Sequence, residues 1–208
     1  MNRKSLPGIR ALGCALLVSI ALQPVHAETA DAAGARAVIE RLHGALLENM
    51  KAGEERGFGE RVAALGPVVE ASFHIDRITD LVLGRHASDL DDGQLARVSQ
   101  RLERLTARQF ASRFDRFNGE QFTDMEVQDP AGNRVLVDTT LVKGDGERIS
   151  LDYMLQHRDG RWGIVNVIAD GVSDLAMKRS ELSGLLRREG FPALIEELDQ
   201  QIAEIGPQ

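Results

Sequence analysis

Ser173 stands where an apolar, strand-like run from Trp162 to Ile168 gives way, through Gly171-Val172, to an amphipathic helix-like run. A serine on a strand-to-helix turn is the arrangement of a hydrolase nucleophile. That elbow has the form Gly-x-Ser-x-Gly, however, and position 175 is Leu. Without the second glycine the strained turn cannot pack closely, so Ser173 reads as a helix N-cap whose hydroxyl accepts an orphan backbone N–H. Gly171 suits a junction that needs unusual backbone dihedrals. His43, His74, His86 and His157 show neither HExxH nor HxH spacing and read as surface or half-buried structural histidines. Asp91 and Asp92 lie in an ordinary solvated loop without the EF-hand pattern, and no glycine-rich phosphate loop occurs. The expectation is therefore no catalytic residue, no metal ligand and no cofactor.

The first 27 residues read as a secretory signal. Arg3, Lys4 and Arg10 form a positive region, Ala11 to Leu22 is apolar, and Val25-His26-Ala27 presents small residues for cleavage before Glu28. The apolar run is too short for a bilayer span, which takes roughly 20 residues. Gly13-Cys14 has the form of a lipoprotein cleavage site, but Arg10 lies only four residues earlier and most of the apolar stretch follows it. Cleavage at Ala27 leaves no cysteine, and so no disulfide or thiol chemistry. Residues 28–208 are expected to form one domain with a net charge near −10, against −7 for the whole chain. Such acidity argues against nucleic acid as a partner.

Residues 35–117 carry helical spacing. Val38, Ile39, Leu42, Leu46 and Met50 form one stripe, and Val62, Leu65, Val68 and Val69 a second. Phe73, Ile75, Ile78, Leu81 and Val82 predict a third helix ending near Gly84. Asp91-x-x-Gln94 predicts a capping box opening the longest helix. After Gly119 the period becomes two. A strand around Gln121 to Gln128, closed by Asp129-Pro130-Ala131-Gly132-Asn133, precedes two alternating sets. Val135, Val137, Thr139 and Leu141 form the first, and Ile149, Leu151, Tyr153 and Leu155 the second. Lys143 to Gly146 and Arg158-Asp159-Gly160 mark the turns, and Trp162, Ile164 and Ile168 open a further strand. Short turns predict an antiparallel meander of about four strands. Helical spacing returns with Leu175, Leu182, Leu185 and Leu186, breaks at Gly190, and resumes from Phe191 to Ile205. The pattern predicts α+β architecture, with helices covering one face of a curved sheet.

Two features stay open at this level. Arg97, Arg101, Arg104, Arg108, Arg113 and Arg116 line the longest helix, either as a solvated face or as a strip facing an anion. The aliphatic stripes suit a dense core, and they suit the lining of a cavity equally.

The segment Gln109-Phe110-Ala111-Ser112-Arg113-Phe114-Asp115-Arg116-Phe117-Asn118-Gly119-Glu120 resembles the Thr-Tyr-Ala-x-x-Leu-x-x-Tyr-x-Gly-Glu segment of the MlaC / toluene-tolerance family. Leu83-Gly84, Leu151-Asp152-Tyr153, Trp162, Gly171-Val172-Ser173, Arg179-Ser180-Glu181 and Leu185 to Gly190 fit the same family in order and spacing. The chain departs from it in having Phe at 110 and 117, where Tyr is usual, and Asn166 in place of Asp.

The resemblance implies a periplasmic carrier of phospholipid, built as a twisted antiparallel sheet of about four strands (NTF2/cystatin-like) with helices enclosing a lipid cavity. It implies passage of lipid between an outer-membrane lipoprotein–porin complex and an inner-membrane ABC transporter bearing an MCE-domain protein. A cousin subgroup is associated with hopanoid biosynthesis, so hopanoid is the alternative cargo. Acyl-chain contacts are then expected from Phe110, Phe114, Phe117, Leu151, Tyr153, Ile168, Val172, Leu175 and Leu182. Competing readings are a small-molecule enzyme using Tyr153 or Asp152 as an acid, and an exported adaptor docking through its arginine strip.

Overall fold

A computed structural model describes Met1, residues 30–128 and residues 132–206. The expected signal segment, Cys14 and the turn residues 129–131 lie outside the described residues. Helix α1 (Ala30–Ala52) buries Val38, Ile39, Leu42, Leu46 and Met50, the stripe that its spacing predicts. Helix α2 (Phe58–Ser72) buries Leu65 and Val69, and α3 (Ile75–Leu83) buries Val82 and Leu83. Phe73 lies outside α3, against expectation. It forms a parallel bridge with Ile164, and the neighbouring His74 N–H donates to the Ile164 carbonyl at 3.0 Å. A 3₁₀ segment, Gly84–Asp89, leads to α4 (Asp92–Arg113). The capping box there is reciprocal, with the Gln94 N–H donating to Asp91 Oδ1 at 2.8 Å and the Asp91 N–H to Gln94 Oε1 at 3.0 Å.

The sheet is a meander of five strands in sequential order: β1 (Gln121–Gln128), β2 (Arg134–Val142), β3 (Arg148–Arg158), β4 (Arg161–Ala169) and β5 (Val172–Ser173). Val135, Val137, Thr139 and Leu141 are buried, while Leu136, Asp138 and Thr140 on the opposite face are half-buried. The β3–β4 turn has Asp159 at φ 52° and Gly160 at φ 76°, as a type I′ hairpin requires. Asp170 (φ 47°) and Gly171 (φ 79°) repeat that geometry and fold Val172-Ser173 back on β4, with Ala169 opposite Val172. This is the strand missing from the expectation of about four: two residues show no alternation, so periodicity cannot reveal it. Helix α5 (Asp174–Lys178), a π turn (Arg179–Ser183) and α6 (Gly184–Glu204) complete the chain, with α6 kinked at Gly190.

The apolar side chains divide into two clusters. The first lies under the sheet and holds α1, α2 and the inward residues of β2 to β4, with Ala107 and Ala111 of α4. The second joins Val82 and Leu83 to Val98, Leu102 and Leu105 of α4 and to Leu182, Leu186, Leu194 and Leu198. The arginines of α4 tie these elements together. Arg101 donates to both oxygens of Asp199 at 3.0 Å, Arg97 stacks over Phe191, and Arg108 stacks over Phe58 while donating to the Ile205 carbonyl. Half of the strip is thus a seam between α4 and its neighbours, while Arg104, Arg113 and Arg116 are exposed.

His43 and His74, expected at or near the surface, are buried. His43 Nε2 lies 3.0 Å from the Tyr153 hydroxyl, its ring stacks on Phe122, and Nδ1 finds no partner among the described residues. Burial pushes the Tyr153 phenol up and lowers His43 from 6.5 to about 3. Between those two values only the unfolded chain binds the proton, so the stability present above pH 6.5 falls as pH drops, by up to about 1.4 kcal/mol per unit. We predict that His43→Gln, compared with the parent by urea denaturation, removes about 2 kcal/mol of the stability lost between roughly pH 7 and pH 4.5. An unchanged acid limb would show that His43 is not the group responsible.

Candidate functional site

Where the two clusters meet, a cleft of about 230 Å³ opens to solvent. Ile75 and Ile78 of α3 form one wall and pack against both clusters. Leu102, Thr106, Gln109 and Phe110, successive turns of one α4 face, form the second wall. Val165, Val167 and Ala169, alternate residues of β4, supply the floor together with Phe73. The rim is the segment that begins at β5: Val172 and Met177 are each 53% exposed, and Leu175 is half-buried beside them. The lining is mostly apolar.

Polar groups hold the rim to the floor. Asn166, only 8% exposed on an otherwise apolar strand, uses Oδ1 to accept from both the Ser173 hydroxyl and the Leu175 N–H, each at 3.1 Å. Ser173 Oγ in turn accepts from the Ala176 N–H at 3.1 Å, so the N-cap predicted for Ser173 is what the structure contains. Lys178 is also buried in the wall, donating to Asp174 at 2.5 Å and toward Gln109 at 3.4 Å. Arg113 stands at the polar end. His74 anchors the floor from behind. Its Nε2–H donates to the Gln156 carbonyl at 3.1 Å, and its ring comes within 2.5 Å of where a Cβ on Gly163 would lie, so position 163 accepts no side chain.

Of the nine residues expected to touch lipid, Phe110, Val172 and Leu175 line this cleft. Leu151 and Tyr153 face the same side of the sheet as Ala169 and Val167, their partners on β4, but stand one strand farther in, beneath α1. Phe114 follows Phe110 by four residues, packs against the first cluster and borders a separate depression with Met50 and Leu141. Phe117 is 42% exposed beyond the end of α4, with the Lys51 ammonium over its ring. Ile168 is half-buried and pairs with Ser173, and Leu182 is fully buried in the second cluster. Residues that the sequence did not single out complete the site: Ile75, Ile78, Leu102, Val165, Val167, Asn166 and Lys178. Asn166 carried a signal, a polar residue inside an apolar strand, although its family comparison drew attention only to the missing carboxylate.

Among the described residues no group of His, Cys, Asp and Glu is placed to hold a metal ion, and no helix is long and apolar enough to cross a membrane. The family model described as MlaC protein matches residues 40–200. Among solved structures, a phospholipid-binding protein from Ralstonia solanacearum, determined in complex with a phospholipid, is similar with a TM-score of 0.72 and 17% identity. The similarity covers 82% of this chain and 98% of that one. No curated protein matches the sequence.

The Asn166 amide predicts how the rim is stabilised. Ser173→Ala should cost about 1 kcal/mol, the usual worth of an N-cap. Asn166→Ala leaves two donors unpaired and should cost about 2–3 kcal/mol, whereas Asn166→Asp keeps both acceptor contacts and should cost less. The double alanine variant should fall short of the sum of the single costs, because both residues belong to one network. Urea denaturation of the four variants measures all of this, and strict additivity would show the two side chains to be independent.

Proposed function

The chain belongs to the MlaC family, and from that premise we propose that it is a periplasmic lipid carrier which shields phospholipid acyl chains in the cleft between its two apolar clusters. The observation that supports this reading is the cleft itself, an aliphatic trough open to water with exposed apolar side chains, Val172 and Met177, on its rim. The bound phospholipid of the Ralstonia solanacearum protein supports the same choice of guest.

The physical case rests on the cost of hydrocarbon in water. At about 0.8 kcal/mol per CH₂, two chains of around 16 carbons carry roughly 25 kcal/mol of gross exposure, so lipid does not cross an aqueous compartment unaided. A protein that wraps the tails removes most of that cost and can leave the polar head in solvent. A cleft of about 230 Å³ is below the roughly 300–1,000 Å³ usual for ligand pockets, so a two-chain guest requires the walls to part. The boundary between the two clusters is where parting disturbs least, since each stays packed on its own side.

The family reading extends to route and partners: the carrier would receive or deliver phospholipid at an outer-membrane lipoprotein–porin complex and at an inner-membrane ABC transporter bearing an MCE-domain protein. Binding without turnover is part of the proposal. The two acids considered above do not serve the cleft: Tyr153 is 1% exposed and engaged with His43, and Asp152 lies on the opposite face of the sheet, bonded by Ser150.

Native mass spectrometry of the purified protein tests this. The expected spectrum contains the protein with one lipid, at a mass that distinguishes phospholipid from hopanoid. Val172→Glu puts a charge on the rim, and Ala169→Trp fills the floor with an indole; both should lose the lipid while circular dichroism shows the fold retained. A lipid-free parent protein, or full retention in both variants, would overturn the assignment.

A further inference from the structure

A second pocket, of about 440 Å³, lies where the end of α3 meets the π turn, and it shares no lining residue with the apolar cleft. Its character is the reverse. Arg85 and His86 enter from the 3₁₀ segment, Arg179 and Ser180 from the π turn, and Arg187 from the first turn of α6. No Asp or Glu lines it. Elsewhere in this acidic chain arginines find carboxylates, as Arg101 does in Asp199 and Arg148 in Asp124. Arg85, Arg179 and Arg187 form no ion pair and no side-chain hydrogen bond with any described residue.

The backbone accommodates this gathering of like charge. Gly84 has φ 58°, and the Arg179 guanidinium lies 3.1 Å from where a Cβ on Gly84 would stand. A side chain at 84 would be strained in that conformation and would displace the arginine. The Arg179–Ser183 segment is a π turn, a local underwinding found frequently at functional sites. Ser183 donates to the Arg179 carbonyl at 2.7 Å and so braces the turn, while the Ser180 hydroxyl has no partner among the described residues. The acids nearest in sequence leave the three arginines unpaired: Glu181 accepts from Gln201 at 2.6 Å, Glu189 lies 3.9 Å from Arg188, and Asp89 pairs only with the pocket's own His86, at 3.3 Å from Nδ1. Three guanidinium forks around one concavity repel each other unless an anion joins them. A carboxylate has only two oxygens to offer, whereas a phosphate group presents more acceptors in a compact tetrahedron.

We propose that the pocket formed by Arg85, His86, Arg179, Ser180 and Arg187 is an oxyanion site for a phosphate group, supplied as free phosphate or as the exposed phosphate of a lipid headgroup. It stands independently of the lipid reading of the apolar cleft.

Amide chemical-shift titrations of the ¹⁵N-labelled protein test it, with sodium phosphate compared against sodium chloride at constant ionic strength. Phosphate should produce saturable shifts at Gly84, Arg85, Ser180 and Gly184. The exposed pair Arg179→Gln/Arg187→Gln should weaken binding about tenfold or more, since each lost charge-assisted bond counts strongly. Arg148→Gln, remote and paired with Asp124, should leave it unchanged. Co-sedimentation with vesicles of phosphatidylethanolamine and phosphatidylglycerol separates the sources. Vesicle binding lost in the double variant assigns the site to headgroup phosphate; phosphate binding lost with vesicle binding unaltered assigns it to the free ion. Shifts that chloride reproduces, or that fail to saturate, together with vesicle binding indifferent to the double variant, would overturn the proposal.

Discussion

Ile75 and Ile78 of α3 pack against two apolar clusters at once, one beneath the sheet and one between α4 and α6. That double contact joins the two clusters at the boundary where the cleft opens. Core side chains normally fill space to crystal-like density, and a trough in an apolar interior forfeits the contacts that its lining would otherwise make. Here α4 runs along the boundary, giving Leu102 to one cluster and Ala107 and Ala111 to the other. Its small residues Ala107 and Ala111 join the first cluster, and Phe110 reaches the gap beside the buried Phe73, their ring centroids 5.9 Å apart. A cleft between two packed bodies costs less than a cavity inside one, because each body keeps its own close packing.

The register of the meander decides which side chains reach that boundary. A slip of one residue would exchange the faces of β4 and bring Ile168 inward in place of Val167 and Ala169. Two type I′ turns fix the register at both ends of β4, one at Asp159-Gly160 and one at Asp170-Gly171. The second turn also determines the rim. Because it folds Val172-Ser173 against Ile168 and Ala169, the Ser173 hydroxyl and the Leu175 N–H arrive at Asn166. A buried amide is costly when unmet, and its two donors set where α5 begins. One polar residue in the strand thus positions several apolar residues around the mouth.

Much of this was legible from period alone. The buried stripe of α1, the Asp91 capping box, the alternating faces of β2 and β3 and the cap role of Ser173 follow from residue spacing and local hydrogen-bond chemistry. What spacing could not supply was depth. Tyr153 and Val167 share a face and a rung of the ladder, yet one lies under α1 beside His43 and the other on the floor of the cleft. Core and lining impose the same alternation, so only the lateral placement of strands and helices tells them apart. On the helical side Leu182 shows the same ambiguity: it shares its spacing with Leu175 of the cleft lining, yet it is fully buried in the second cluster. The buried His43 was hidden because its partners come from β1 and β3, 79 and 110 residues away in sequence.

A carrier has to release its load, and the chemistry of the cleft suits that requirement. Area-based attraction scales with the number of methylenes covered, at about 0.8 kcal/mol each, and it weakens steadily as the walls part. Directional bonds to a headgroup would instead have to be broken at a defined geometry, and the polar groups lining the cleft, Arg113 excepted, are already occupied. Asn166 is committed to Ser173 and Leu175, and Lys178 to Asp174. Their role is to hold the rim in shape, which leaves the guest retained mainly by the exclusion of water from its tails. In the proposed carrier, retention and release would both follow from how far the two clusters part.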